Sequence, residues 1–119
     1  MTTTAKELTA KKCKPCEGGV DRLSEDQVRE HLNAVPEWEL TEDGRRIRRK
    51  WRAKDFAAAL RFFDRIGAVA EEEDHHPDLH LTGYRNVTVE LATHAIGGLS
   101  ENDFILAAKI DQLPPPTDG

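Results

Sequence analysis

The sequence predicts an α+β domain: a four-stranded antiparallel sheet with three helices packed on one face, in the order α-β-β-α-β-β-α. Three observations predict it. Three stretches repeat apolar residues at helical intervals. Four shorter stretches alternate apolar with polar residues. The short stretches fall into two pairs, each joined by a glycine-containing turn. A chain of 119 residues is the size of one domain with one core.

Ser24 opens the first helix, with Gln27 at capping-box distance and Leu23 and Val28 at the staple positions. Val28, Leu32 and Val35 recur at helical spacing, and Pro36 closes the segment. Trp38 and Leu40 alternate with polar residues as a half-buried strand does. Asp43-Gly44 follows, a two-residue hairpin signal because both positions tolerate positive φ. The return strand places Ile47, Arg49 and Trp51 on one face, and Arg46, Arg48 and Lys50 on the other. A long helix is predicted over 55–73. Its apolar stripe is Phe56, Ala59, Leu60, Phe63, Gly67 and Ala70, widened by Phe62 and Ile66. A short strand around 79–82, a Gly83 turn and a longer strand over 84–93 come next. Val87, Val89 and Leu91 share one face, and parity puts His94 on the opposite side just past the strand end. Gly97-Gly98 leads to Ser100, the N-cap of the last helix, with Leu99 and Phe104 as its staple and Ile105, Leu106, Ala108 and Ile110 as its core face.

The domain is expected to span 21–112. Residues 1–20, rich in Thr and Lys, read as a flexible N-terminal arm, and 113–119 as a proline-rich tail. Pro114, Pro115 and Pro116 lack the N–H donors a helix needs. The formal net charge of -5 argues against a nucleic-acid partner for the domain as a whole. The one basic cluster, Arg45 to Arg52, reads as the solvent face and hairpin end of a strand, with a docking patch for an anionic partner as the rival reading. No window is long and apolar enough for a membrane helix, and no apolar h-region follows the N-terminus, so a cytoplasmic protein is expected. Cys13 and Cys16 stand as C-x-x-C without the second pair a zinc ribbon needs. They read first as inert thiols, ahead of a metal site borrowing a ligand from elsewhere or a redox pair.

Four of the five histidines, His75, His76, His80 and His94, fall within twenty residues. Imidazole titrates near neutrality and so can both give and take protons at physiological pH. His75 and His76 follow the acidic run 71–74, four like charges at a helix C-terminus, where the dipole disfavours them. Such a local cost points to a use for an acid there. Pro77 biases His76 toward extended backbone. Pro77 also stands between His76 and His80, so no helix puts those two on one face as a zinc pair, and no metal is expected. His80 and His31 read as surface residues.

An acid, Glu71, stands four residues before His75-His76-Pro77. Tyr84 follows, then nine residues, then His94, and a spacer ends on Asp103. This ordered set resembles the signature of the pterin-4a-carbinolamine dehydratase family, and Thr93-His94 and Gly98-Leu99-Ser100 look like family members too. The looser likeness runs from about Leu23 to Ile110. The resemblance implies dehydration of a 4a-hydroxytetrahydropterin to a quinonoid dihydropterin, recycling the pterin of an aromatic amino acid hydroxylase. It also implies a homodimer or homotetramer and no cofactor. The leaving hydroxyl needs a proton and N5–H must lose one, a task for two near-neutral groups on opposite sides of the ring. On this reading His75 and His94 form the acid–base pair, with either in either role, and His76 binds and orients the ring. Glu71 orients or tunes a histidine, or is simply a surface acid. Asp103 either supports the site or serves the helix N-terminus. Pro77 and Tyr84 complete the supporting set, Tyr84 as a wall or edge-strand aromatic. The rival reading is a non-catalytic factor on the same fold, a Rubisco assembly factor or a transcription-factor dimerisation cofactor. Such relatives tend to lose the cleft residues, whereas every signature position is kept here.

Overall fold

The computed structural model describes residues 4–14 and 21–118. Four antiparallel strands, β1 (Glu39–Leu40), β2 (Ile47–Arg52), β3 (Asp78–Thr82) and β4 (Asn86–Leu91), lie in the order β1-β2-β4-β3. Register sets Ile47 against Leu91, Arg49 against Val89 and Trp51 against Val87, so these residues share one face with Leu79 and Leu81. That face carries the core beneath α2 (Glu25–Ala34), α3 (Phe56–Glu73) and α4 (Glu101–Asp111). The predicted order and layering therefore hold.

Helix α2 starts on the predicted capping box, Ser24 with Gln27, and stops before Pro36. Helix α3 starts on Asp55, whose side chain accepts from the Ala58 N–H. Arg49, a charge on the apolar face, is accommodated by Asp111 at 2.6 Å and by the Trp51 ring beneath its guanidinium. Asp111 also accepts from Trp38 Nε1 at 2.9 Å, which ties the first hairpin to the end of α4. Across the other face, Arg46 pairs with Asp78 and Glu90, and Arg48 with Glu39. Much of the basic cluster is thus neutralised within the sheet, in line with a solvent face.

Several sequence expectations change. The first hairpin is wider than two residues: Thr41 N–H donates to the Arg46 carbonyl, and residues 42–45 form the loop, with Gly44 at φ 71°. Leu40, at the end of a two-residue edge strand, is exposed beside an open cavity of about 290 Å³ that Leu23, Val28 and Leu99 also line. On α3 the buried stripe is centred on Phe62 and Ile66, whereas Phe56 and Leu60 are 50% and 43% exposed. His31 is buried rather than on the surface. Its Nδ1 lies 2.7 Å from the Gln27 carbonyl and its ring packs on Phe104.

The arm expected over 1–20 is, in its described part, packed onto the domain. Residues Ala5–Thr9 form helix α1, capped by Thr4, which lies against α4 and buries Leu8 completely. Helix α4 is accordingly buried almost all round rather than on one stripe: Asn102 to Ala108 are all covered. The proline tail also folds back. Pro116 is buried, its carbonyl accepts from the Lys54 N–H, and a 3-10 turn spans Pro116–Asp118.

Candidate active site

Helix α3 ends in a Schellman turn. His75 N–H reaches back to the Ala70 carbonyl at 3.1 Å, Asp74 N–H to Glu71, and Asp74 takes the left-handed conformation at φ 52°. Aspartate tolerates that conformation because its short polar side chain bonds locally. The turn folds His75 inward and leaves His76 outward, although the two are neighbours.

His75 is 5% exposed, and its Nε2 lies 2.6 Å from Asp103 Oδ1. Asp103, at the third position of α4, is fully buried. Its other oxygen, Oδ2, accepts from Thr93 Oγ1 at 2.8 Å and from the Ser100 N–H at 3.0 Å. A buried carboxylate needs such donors, since unpaired it would be strongly disfavoured. Asp103 therefore serves the helix N-terminus and the histidine at once. One oxygen meets the imidazole and the other meets the helix N-terminus.

His94 follows Thr93 directly and opens a 3-10 turn, His94–Ile96, closed by Gly97 at φ 62°. It is exposed and borders a cavity of about 180 Å³ that Thr93, Gly98, Arg45 and Arg46 also line. The β3–β4 register pairs Asp78 with Glu90; carried two residues further it sets His76 beside Ala92. Segments 75–77 and 92–94 thus meet at one end of the sheet, joined through Asp103. His76, with a 60% exposed side chain, pairs with Glu71 at 2.7 Å. A buried His–Asp pair, an exposed His–Glu pair and a third imidazole on the next segment put groups able to give and take protons at this end of the sheet.

A sequence model described as Pterin 4 alpha carbinolamine dehydratase matches residues 21–113. The chain belongs to this family. A mitochondrial pterin-4-alpha-carbinolamine dehydratase 2 of Arabidopsis thaliana is 48% identical over 110 residues, and the match covers 90% of this chain but 59% of the plant protein. A Halorhodospira halophila protein provisionally named pterin-4-alpha-carbinolamine dehydratase is 51% identical, with 89% of this chain and 96% of the relative covered. The crystal structure of a transcriptional coactivator/pterin dehydratase from Brucella melitensis superposes with a TM-score of 0.71 at 35% identity, over 76% of this chain and 96% of that one.

Not every residue of the dehydratase signature lies at this end. Tyr84 sits in the turn between β3 and β4 with φ 56°, 58% exposed, beside the Arg85 guanidinium. The whole of β3 and Gly83 lie between it and Pro77, and β3 alone spans roughly 17 Å as an extended strand. Within one chain it is therefore no wall of the histidine site. His80 is exposed, as expected, and lies 3.5 Å from Glu90.

The N-terminal segment grips the floor of the site at two residues that flank the His75–Asp103 pair. Glu73, buried, accepts from the Cys13 N–H at 2.8 Å and pairs with Lys109 at 2.8 Å. Asn102, buried, exchanges hydrogen bonds with the backbone N–H and carbonyl of Lys14. Burial and the neighbouring Glu73 carboxylate push the Cys13 thiol up to about 12, so it stays protonated and unreactive at neutral pH. Cys16 lies outside the described residues. Burial pushes the Glu73 carboxyl up, but Lys109 and the Cys13 N–H outweigh it and hold it below its ordinary 4.5. A depressed folded-state pKa gives stability that is present above the unfolded value and lost as pH falls through the folded one. Thermal unfolding between pH 7 and 3 is therefore expected to show a falling melting temperature below about pH 4.5, and Glu73→Gln a shallower fall. Equal acid slopes for the two proteins would remove Glu73 from this role.

The residues missed from sequence are Thr93 and Ser100 as partners of Asp103, and Glu73 and Asn102 as anchors. One signal was present: Ser100-x-x-Asp103 has capping-box spacing, which returns the acid to the Ser100 N–H.

Proposed function

We propose that the chain dehydrates a 4a-hydroxytetrahydropterin to the quinonoid dihydropterin. The observation that carries this is the Asp103 carboxylate. One oxygen is on His75 and the other on Thr93, the residue before His94, which brings the two imidazole-bearing segments to one place. Loss of the 4a-hydroxyl requires a proton on the leaving oxygen and removal of the N5 proton, and His75 and His94 are the pair we assign to these transfers. Asp103 orients His75. His76, with Glu71 behind it, holds the ring, and Pro77 sets the backbone that separates the two neighbouring imidazoles. Adding the protein to chemically generated 4a-hydroxytetrahydropterin and following the quinonoid product by absorbance tests the assignment. Acceleration over buffer is expected, and none would transfer the chain to the non-catalytic class. The reaction fits recycling of a hydroxylase's pterin in the cytoplasm. Because one relative is mitochondrial, imaging of the tagged protein decides the compartment.

The working form we infer is a homo-oligomer, dimer or tetramer. Phe56 and Leu60 stand exposed one turn apart on α3 with half-buried Phe63 beside them, an apolar strip that a second copy would cover. Leu60→Lys is expected to lower the mass measured by light scattering while leaving the circular dichroism unchanged. An unchanged mass would place the interface elsewhere.

A further inference from the structure

We propose that Thr93 is a positioning residue: its hydroxyl, backed by Ser100, fixes the rotation of the Asp103 carboxylate and thereby the ring nitrogen that His75 offers to the reaction. The proposal rests on the dehydratase reading only for its kinetic consequence.

A proton count over the buried cluster carries it. An ionised Asp103 has no proton to give. The Ser100 N–H and the Thr93 hydroxyl both point at Oδ2, at 3.0 and 2.8 Å. Thr93 Oγ1 also lies 2.8 Å from Ser100 Oγ. Thr93 has one hydroxyl proton and spends it on Asp103, so the bond between the hydroxyls must run from Ser100 Oγ–H to Thr93 Oγ1. The chain of donors is then fully oriented: Ser100 to Thr93 to Asp103. All three residues are at most 1% exposed, so water does not compete for these bonds.

With Oδ2 engaged by two donors, Oδ1 is turned to His75 at 2.6 Å. A carboxylate oxygen only accepts, so His75 must carry its proton on Nε2. In the neutral ring the basic lone pair is then on Nδ1. Without the Thr93 hydroxyl, Oδ2 keeps only the Ser100 N–H, and the carboxylate can rotate. The hold of Oδ1 on the His75 Nε2–H is then weaker, which favours the Nδ1–H tautomer relative to the natural protein. Thr93 acts on His75 through Asp103.

The test compares Thr93→Val, which keeps the shape and removes the hydroxyl, with Thr93→Ser, which keeps the hydroxyl. Nitrogen-15 NMR of histidine-labelled protein reports the His75 tautomer without any substrate. The Nε2–H form is expected in the natural protein and in Thr93→Ser, and a mixture with the Nδ1–H form in Thr93→Val. In the dehydration assay Thr93→Val is expected to lose about tenfold or more in kcat with KM little changed, as misplacement of a reacting group does. Thr93→Ser is expected to recover most of the loss. An unaltered tautomer in Thr93→Val overturns the proposal, as does a Thr93→Ser protein as impaired as Thr93→Val, which would assign the effect to the methyl group. If the tautomer shifts while no variant, nor the natural protein, accelerates dehydration, the positioning role stands and the dehydratase reading falls.

Discussion

Removing the titratable ring at either His75 or His94 is expected to slow dehydration by about 10²–10⁴-fold, the usual contribution of one positioned proton-transfer group. The variants to compare are His75→Gln, whose amide can still donate to Asp103 Oδ1, and His94→Ala. The first keeps the buried hydrogen bond at 2.6 Å occupied, so that its loss of rate reports proton transfer and not a collapsed site. The second removes an exposed ring, and no fold penalty is expected. The two protons move in one reaction, so the double variant should be far less impaired than the product of the single effects, because groups acting as a unit are not additive. His76→Ala should differ in kind. Its ring is exposed and paired only with an exposed Glu71, so KM should rise more than kcat falls. Stopped-flow traces of the quinonoid product give both constants. Full rates in His75→Gln and His94→Ala would remove both from the chemistry.

The order of elements was legible because each is locally consistent. The Ser24 box, the β4 alternation and the Leu99–Phe104 staple all point to the structure that forms. What could not be read was which of two apolar stripes on α3 faces inward. Phe56–Leu60–Phe63 and Phe62–Ile66 have the same period, and only the position of the sheet chooses between them. The packing of residues 4–14 was hidden for another reason. Between Thr2 and Lys12 Leu8 is the one large apolar residue, too little for a periodic signal, and its burial depends on α4, over ninety residues away in the chain. At the site, the meeting of segments 75–77 and 92–94 followed from family spacing rather than from local pattern. Spacing orders residues but says nothing of direction, which is why Tyr84 was grouped with the histidines although the hairpin carries it to the far end.

The largest expected effect on stability is at Asp103. Asp103→Ala leaves the Ser100 N–H, the Thr93 hydroxyl and the His75 Nε2–H without their shared acceptor in a site closed to water. Removing one partner of such a buried network costs about 3–5 kcal/mol. For a domain of this size that lowers the melting temperature by on the order of 10–20 °C. Asp103→Asn separates stability from chemistry. Its carbonyl oxygen can keep the Ser100 and Thr93 donors, but its NH₂ then faces His75 Nε2, and two donors cannot share a bond. The ring must move its proton to Nδ1 and accept at Nε2, the reverse of the natural tautomer. The expected outcome is a fold that melts within a few degrees of the natural protein and a kcat lower by up to about 10⁴, the size of loss that a wrong histidine tautomer causes in a hydrolase triad. Melting curves and the dehydration assay on the two variants read the two effects separately. If Asp103→Ala melts where the natural protein does, the carboxylate is not the node that joins the segments. If Asp103→Asn keeps full kcat, the tautomer of His75 does not govern the reaction.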